Sequence, residues 1–290
     1  MFSFYSSLCT ELYDYTKPVG YSLNGDIEYY EKRLKNCRGR ILEAAVGSGR
    51  VIIPLIEAGF TVDGIDYSPE MLESCRIRCK ERGLHPNLYE GSLQKFSLPH
   101  KYEAIIIPTG SFCLIENRED SINALKCFYE HLNPGGRLIV DIMLPYDWKT
   151  GEIHTSTFSL PNGDGITLEN KSIEIDWLNQ TTLSYLKYEK WSKGQLVQTE
   201  LQRFAVRWYG IEEFKLLLES IGFSNITCSA DYVFEKKPSK QIKCLLLKQY
   251  EKKNKEVCKK TRQSIQYRLS CFNCILRTCY YVFIVQASFY

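Results

Sequence analysis

Residues 41–72 read ILEAAVGSGRVIIPLIEAGFTVDGIDYSPEML, and this stretch decides the fold. A short apolar run from Arg40 to Ala45 enters the turn VGSGR, and a second apolar segment closed by Gly59 follows it. That order spells strand, glycine turn and helix. Thr61 to Asp66 is a second short strand. Ser68 to Gly83 is a helix, with Ser68 as N-cap, Pro69 in the first turn and Gly83 at the C-terminal end.

The alternation extends outward on both sides. Upstream, Ile27, Tyr30 and Leu34 have helical spacing within Asp26 to Lys35. Downstream, NLYEGS (87–92) is a weak third strand and YEAIIIP (102–108) a strong fourth one. REDSINALKCFYEHL (118–132) is an amphipathic helix stopped by NPGG, and RLIVDIML (137–144) is a fifth strand. Its continuous apolar character predicts burial on both faces. Strands and helices alternating at this rhythm predict an α/β fold with a parallel sheet and crossover helices. The ligand then belongs beyond the carboxyl ends of the strands.

Between about His154 and Trp208 the periodicity changes from helical to alternating. ITLENKSIEIDWL, TTLSYLKYEKW and LVQTELQRFAVRW predict three antiparallel strands inserted after the fifth strand. The α/β pattern resumes with a helix at 211–223 and strands at 225–230 and 242–248. The expected organisation is an N-terminal cap segment (1–36), a core (37–150 and 209–248), a β-rich insertion (151–208) and a charged, then apolar tail (249–290). The edges of the inserted sheet are surfaces that a second copy of the chain could cover.

Composition narrows the function classes. The chain has 290 residues, with Lys+Arg 37 against Asp+Glu 34 and a formal charge of +3. That near balance gives no electrostatic footprint for nucleic acid, so no nucleic-acid partner is expected. Cys 12 would suit secretion, but no signal peptide opens the sequence, so reduced thiols and a cytoplasmic setting are expected. Cys271 and Cys274 form a lone CxxC without a matching ligand pair, and no metal site is expected. In the terminal apolar stretch, Arg277 costs roughly 2.5–3.5 kcal/mol on insertion scales and argues against a membrane span.

The turn after the first strand carries ExAxGxG as Glu43, Ala45, Gly47 and Gly49. Glycine suits a place where backbone must approach a ligand closely. A dinucleotide fingerprint would need its third glycine at Ile52, which disfavours a pyrophosphate-bearing nicotinamide or flavin. Asp66 ends the second strand, where a carboxylate can accept hydrogen bonds from both hydroxyls of a ribose. Together these features suit an adenosine without a pyrophosphate.

LEAAVGSGR, GIDYSPEML, AIIIPTGSF and LNPGGRLIVDIMLP, in this order, resemble the class I S-adenosylmethionine-dependent methyltransferases over about 12–248. The resemblance implies a Rossmann-like doubly wound, seven-stranded sheet whose last strand runs antiparallel. It implies S-adenosyl-L-methionine as cofactor and S-adenosyl-L-homocysteine as product. Gly47 and Gly49 would pass close to the methionyl part and ribose, with Glu43 helping to hold the amino-acid end. Asp66 would bind the ribose, while Tyr67, Met71, Ser92 and Leu93 would surround the adenine. Pro108, Thr109 and Phe112 would line the space between methyl donor and acceptor.

Two positions depart from the family pattern. Ala45 stands where glycine is usual, which a methyl group satisfies if the backbone keeps φ negative. Ser92 stands where an acid is common, a loss of ~1 kcal/mol in hydrogen bonding to the adenine amino group. The segment ELYDYTKPVGY, with Tyr13 and Asp14, resembles the part of small-molecule methyltransferases that closes over cofactor and acceptor. The inserted sheet resembles that of sugar-amine and glycine N-methyltransferases. Tyr13 is nominated to orient the acceptor, and His85, His100, His131 and His154 are too scattered to offer a base. The expected activity is methyl transfer to a small molecule by in-line displacement, N-methylation ahead of O-methylation. The alternatives are a protein or RNA methyltransferase and a non-catalytic S-adenosylmethionine-binding protein.

Overall fold

In the computed structural model, residues 4–237 are described in full and residues 245–252 through their backbone. The apolar tail expected from the sequence lies outside the described residues. Two helices, α1 (Ser7–Thr16) and α2 (Asp26–Leu34), precede the alternating region. That region runs β1 (Ile41–Ala44), α3 (Ile52–Glu57), β2 (Val62–Asp66), α4 (Pro69–Glu81), β3 (Leu88–Glu90) and β4 (Tyr102–Ile107). A 3-10 turn (Ser111–Leu114), α5 (Arg118–His131) and β5 (Leu132–Ile142) complete it. Next come β6 (Ile153–Ser159), β7 (Gly165–Asp176), β8 (Thr181–Ser192) and β9 (Gln195–Arg207). The chain returns to the core through α6 (Ile211–Ile221), β10 (Phe223–Ser224), β11 (Thr227–Ala230) and β12 (Leu245–Lys252).

Five strands, in the order β3-β2-β1-β4-β5, are parallel, and β12 pairs antiparallel with β5. Where the sequence leads to seven strands, the sheet has eight strand segments. The difference arises at the far edge, where β10 and β11 pair with successive parts of β12. They are separated at Asn225, whose φ of +57° turns the chain between them. A second difference concerns NPGG, which opens β5 instead of ending α5 in a loop. Tyr102 pairs with Leu132, and the register shifts before Ala104 meets Arg137.

β4 shows why the sheet sits in the middle of the molecule. Ala104 and Ile106 point into a core with Ile41, Ile52, Leu55 and Leu72. Ile105 and Ile107 point the other way, to Phe112, Phe128, Phe214 and Leu218. All four β4 residues are fully buried. Each such isoleucine contributes about 1.5–3 kcal/mol, and the strand needs helices on both faces.

The order of β6-β7-β8-β9 is that of an antiparallel meander, four strands where the alternation predicts three. β6 escapes the sequence pattern because it is an edge strand with almost every residue exposed. α1 lies between this sheet and α4. Leu8, Leu12, Met71, Ile166 and Tyr188 form their shared apolar seam. The Glu200 carboxylate accepts from Ser6 Oγ at 2.5 Å, Ser7 Oγ at 2.9 Å and Leu8 N–H at 3.1 Å. It thus supplies the acceptor and negative charge that the first turn of α1 lacks. At the other end, Asp14 accepts from Ser74 Oγ at 2.5 Å and pairs with Arg78 at 3.0 Å.

Candidate active site

The chain leaves β3 at one edge of the sheet and returns as β4 beside β1, so a crevice opens beyond the carboxyl ends of β1 and β4. The turn after β1 forms its floor. Gly47 has φ +55° with open space where a side chain would project, and its N–H donates to Asp66 Oδ2 at 2.8 Å. Gly49 is also required for packing. At φ +89°, a Cβ there would stand 2.8 Å from Cys75 Sγ and 3.0 Å from Ile53 Cδ1, so this glycine lets α4 pack on the turn.

Ala45 corrects the expectation of a negative φ, since its φ is +59°. An L-residue in this region is strained by about 1–2 kcal/mol. Ala45→Gly is therefore expected to raise the unfolding free energy by about 0.5–1 kcal/mol, after the greater freedom of glycine in the unfolded chain is subtracted. A urea titration measures this, and an unchanged or lower midpoint would contradict it.

The loop after β4 forms the opposite wall. Thr109 also has a positive φ, +61°, unusual for a β-branched residue. Two hydrogen bonds hold it there: its N–H donates to Asp141 Oδ2 at 2.6 Å, and its Oγ1 accepts from Arg50 Nη2 at 2.8 Å. Asp141 also accepts from Tyr30 O–H at 2.6 Å and Tyr232 O–H at 2.8 Å. Burial pushes the Asp141 carboxyl up to about 7, against the pull of these donors. Arg50 in turn is fixed by Asp26, with Nη2 to Oδ2 at 2.6 Å and Nη1 to Oδ1 at 3.2 Å.

These walls enclose a cleft of about 1470 Å³. Of the residues nominated from the sequence, Tyr13, Ala45, Gly47, Asp66, Tyr67, Met71, Ser92, Leu93 and Thr109 line it. Glu43 lies beneath the turn, 3% exposed. Pro108 is buried behind the β4 loop. Two nominated pocket residues turn elsewhere. Asp14 is engaged by Ser74 and Arg78, and Phe112 packs into the core against Phe214 with ring centroids 5.5 Å apart. The cleft also receives Lys17 from beyond α1, Asn179 and Thr181 from the β7–β8 hairpin, and Phe204 and Arg207 from β9.

Residues 41–136 match the methyltransferase domain family. This stretch is a methyltransferase domain. A methyltransferase-named protein of Bacillus subtilis, YqeM, is 26% identical over 217 residues, covering 74% of this chain and 85% of the relative. The glycine/sarcosine N-methyltransferase of Aphanothece halophytica is 28% identical over 71% of this chain and 74% of its own length. In fold, the chain is similar to the sugar N-methyltransferase KedS8 from Streptoalloteichus, with a TM-score of 0.67 at 18% identity, covering 88% of this chain and 98% of that one.

The methyltransferase cleft fits S-adenosylmethionine in the groups it leaves unsatisfied. Glu43 Oε2 is buried without a hydrogen-bond partner, as is Ser92 Oγ. Burial pushes the Glu43 carboxyl well above its usual range, with Asp26 and Asp66 adding to the shift and Arg50 opposing it. A buried carboxyl of this kind awaits a cation, which the cofactor carries in its amino-acid end. Lys17 lies across the same region, its Nζ 4.4 Å from the centre of the Tyr13 ring. Burial lowers its pKa, and the Arg50 charge adds to that. No carboxylate among the described residues pairs with Lys17.

Asp66 ends β2 with both oxygens in use, Oδ2 to Gly47 N–H and Oδ1 to Ser68 N–H at 2.9 Å. Each carboxylate oxygen retains a second lone pair for a hydroxyl donor. Beyond it, Tyr67 is 65% exposed at the rim, with Phe4 edge-on to its ring at 6.2 Å. Sequence reasoning missed Arg50, Lys17 and the insertion residues Asp176, Asn179, Thr181, Phe204 and Arg207. For Arg50 the only sequence signal is its place immediately after Gly49. Among the described residues there is no group of side chains that could hold a metal ion and no helix long and apolar enough to cross a membrane.

Proposed function

We propose that this enzyme transfers the methyl group of S-adenosylmethionine to the nitrogen of a small-molecule amine. The observation carrying this reading is the roof of the cleft. Tyr13 and Lys17 together with Thr181, Phe204 and Arg207 of the insertion cover the space facing the β4 loop. Such a roof suits an acceptor that enters whole and leaves little room for a folded macromolecule. The glycine/sarcosine and sugar N-methyltransferases among its relatives support the same reading.

When bound, the cofactor supplies an activated methyl on a sulfonium. The protein's share is therefore to bind, align and exclude water. Asp66 takes the ribose hydroxyls, and Tyr67, Met71, Ser92 and Leu93 surround the adenine. The backbone at Ala45 and Gly47 lies along the methionyl chain. Glu43 faces the ammonium end, and Lys17 supplies a cation for the carboxylate. Thr109 and Tyr13 bound the space where donor and acceptor meet. A neutral amine needs only its lone pair aligned, whereas a hydroxyl would need a base. No histidine lines the cleft among the described residues.

Methyl transfer from labelled cofactor to a panel of small amines, matched alcohols and unstructured peptides tests this proposal. Turnover of amines alone is expected. Turnover of peptides or alcohols with no amine accepted would overturn it.

Glu43 makes a pH-dependent prediction. In the ligand-free protein its raised pKa means the folded state keeps a proton that the unfolded state releases sooner. Its contribution to stability is then full below the unfolded pKa and is lost as pH rises through the folded one. Binding a cationic cofactor end favours the carboxylate and expels that proton, so affinity should rise with pH across the same range. Glu43→Gln is expected to weaken S-adenosylhomocysteine binding about tenfold and to flatten its pH dependence. Calorimetry in two buffers of different ionisation enthalpy reads the proton directly, and equal slopes in variant and wild type would contradict the assignment.

A further inference from the structure

Arg207 stands at the end of β9, opposite Thr181 in the strand register, and lines the acceptor side of the cleft. The residue is only 6% exposed. Its Nε–H donates to the Glu116 carbonyl at 2.6 Å, which fixes the plane of the guanidinium. The Glu116 carboxylate feels the charge of Arg207 but forms its ion pair with Arg203, with Nη1 at 2.5 Å and Nη2 at 2.6 Å. The Asp176 carboxylate lines the same cleft and also feels the charge of Arg207, but its hydrogen bonds come from Leu178 N–H and Asn179 N–H, both at 2.9 Å, and from Asn179 Nδ2 at 2.7 Å. Among the described residues, no carboxylate forms an ion pair with Arg207, and neither terminal nitrogen has a protein hydrogen-bond partner.

The terminal nitrogens of Arg207 therefore open onto the cleft with no protein acceptor in hydrogen-bond reach. This flat pair matches the two oxygens of a carboxylate or phosphate. We propose that Arg207 receives an oxyanion carried by the acceptor itself, so that the substrate class is an amine that also bears a carboxylate or a phosphate. This rests on the small-molecule N-methylation reading above. Arg207 is then a specificity residue that touches substrate remote from the reacting nitrogen. Its Nε bond and strand register set its orientation before substrate arrives.

The test compares matched acceptors. Glycine and β-alanine probe the carboxylate, phosphoethanolamine and glucosamine 6-phosphate probe the phosphate, and ethanolamine and glucosamine are their neutral counterparts. The wild type is expected to use one anionic set at least about tenfold better in kcat/KM than its neutral partner, chiefly through KM. Whether the carboxylate or the phosphate set is preferred identifies the anion. Arg207→Gln should erase that ratio and Arg207→Lys should keep part of it, while S-adenosylhomocysteine binding and thermal midpoint stay near wild type. Equal use of neutral and anionic partners by the wild type would overturn the inference alone. So would a loss in Arg207→Gln that falls equally on both. Failure to methylate any amine, in a protein that binds S-adenosylhomocysteine, would overturn the N-methylation reading and this inference with it.

Discussion

Replacing Asp26 with alanine is expected to destabilise the protein by about 3–5 kcal/mol, the range for breaking a buried ion pair from one side. Asp26 is fully buried and Arg50 is 3% exposed, so the stranded guanidinium could not be rescued by water without local opening. Asp26 does more than neutralise. Its Oδ1 also accepts from Leu23 N–H at 2.8 Å and Ile27 N–H at 2.9 Å, which ties down the start of α2. Burial works against the charge of Arg50, but the hydrogen bonds and charge of Asp26 outweigh it and hold its proton more tightly. Arg50 then reaches Thr109 and the carbonyl of Tyr21, the latter at 2.7 Å, so the ion pair joins α2, the glycine turn and the β4 loop. Denaturant unfolding checks the cost. A double variant, Asp26→Leu with Arg50→Met, should recover much of it, since removing both charges leaves neither stranded. A single-variant loss below about 1 kcal/mol would mean that the pair is solvated and does not organise the site.

The second large effect is on the cofactor. Asp66→Ala should weaken S-adenosylhomocysteine binding by ~2–3 kcal/mol, about 30- to 150-fold, through lost charged hydrogen bonds to the ribose. The structure adds a second contribution, because the same carboxylate accepts from Gly47 and Ser68 and so shapes the floor of the cleft. Asp66→Asn is the milder change and still touches both. The amide oxygen keeps one backbone bond, whereas the NH₂ group cannot accept from Gly47 or Ser68. A variant that folds, keeps its thermal midpoint and binds as tightly as wild type would remove Asp66 from the ribose site.

The strands of the parallel sheet were legible because their signals are local: apolar runs, a glycine turn and a capped helix at Ser68. The cleft floor was legible for the same reason, since Ala45, Gly47, Asp66, Tyr67 and Met71 lie within one stretch of chain. What escaped depended on distance or on backbone. Arg50 gains its role from Asp26 and Thr109, which no local pattern connects to it. The sign of φ at Ala45 follows from the turn's need to place Gly47 N–H on Asp66, and alanine alone suggests the opposite. Gly49 and Phe112, nominated from a motif, pack on Cys75 and Phe214, a contact that the local sequence does not reveal. β6 was invisible because an exposed edge strand carries no apolar alternation. Arg207 and Thr181 reach the cleft only because the insertion folds back over it.

The most direct test of the account is a calorimetric titration of the 290-residue wild-type chain with S-adenosylhomocysteine. The account predicts one site per chain with micromolar affinity, about −8 kcal/mol. A folded protein that gives no binding heat and no rise in thermal midpoint with excess ligand would contradict it.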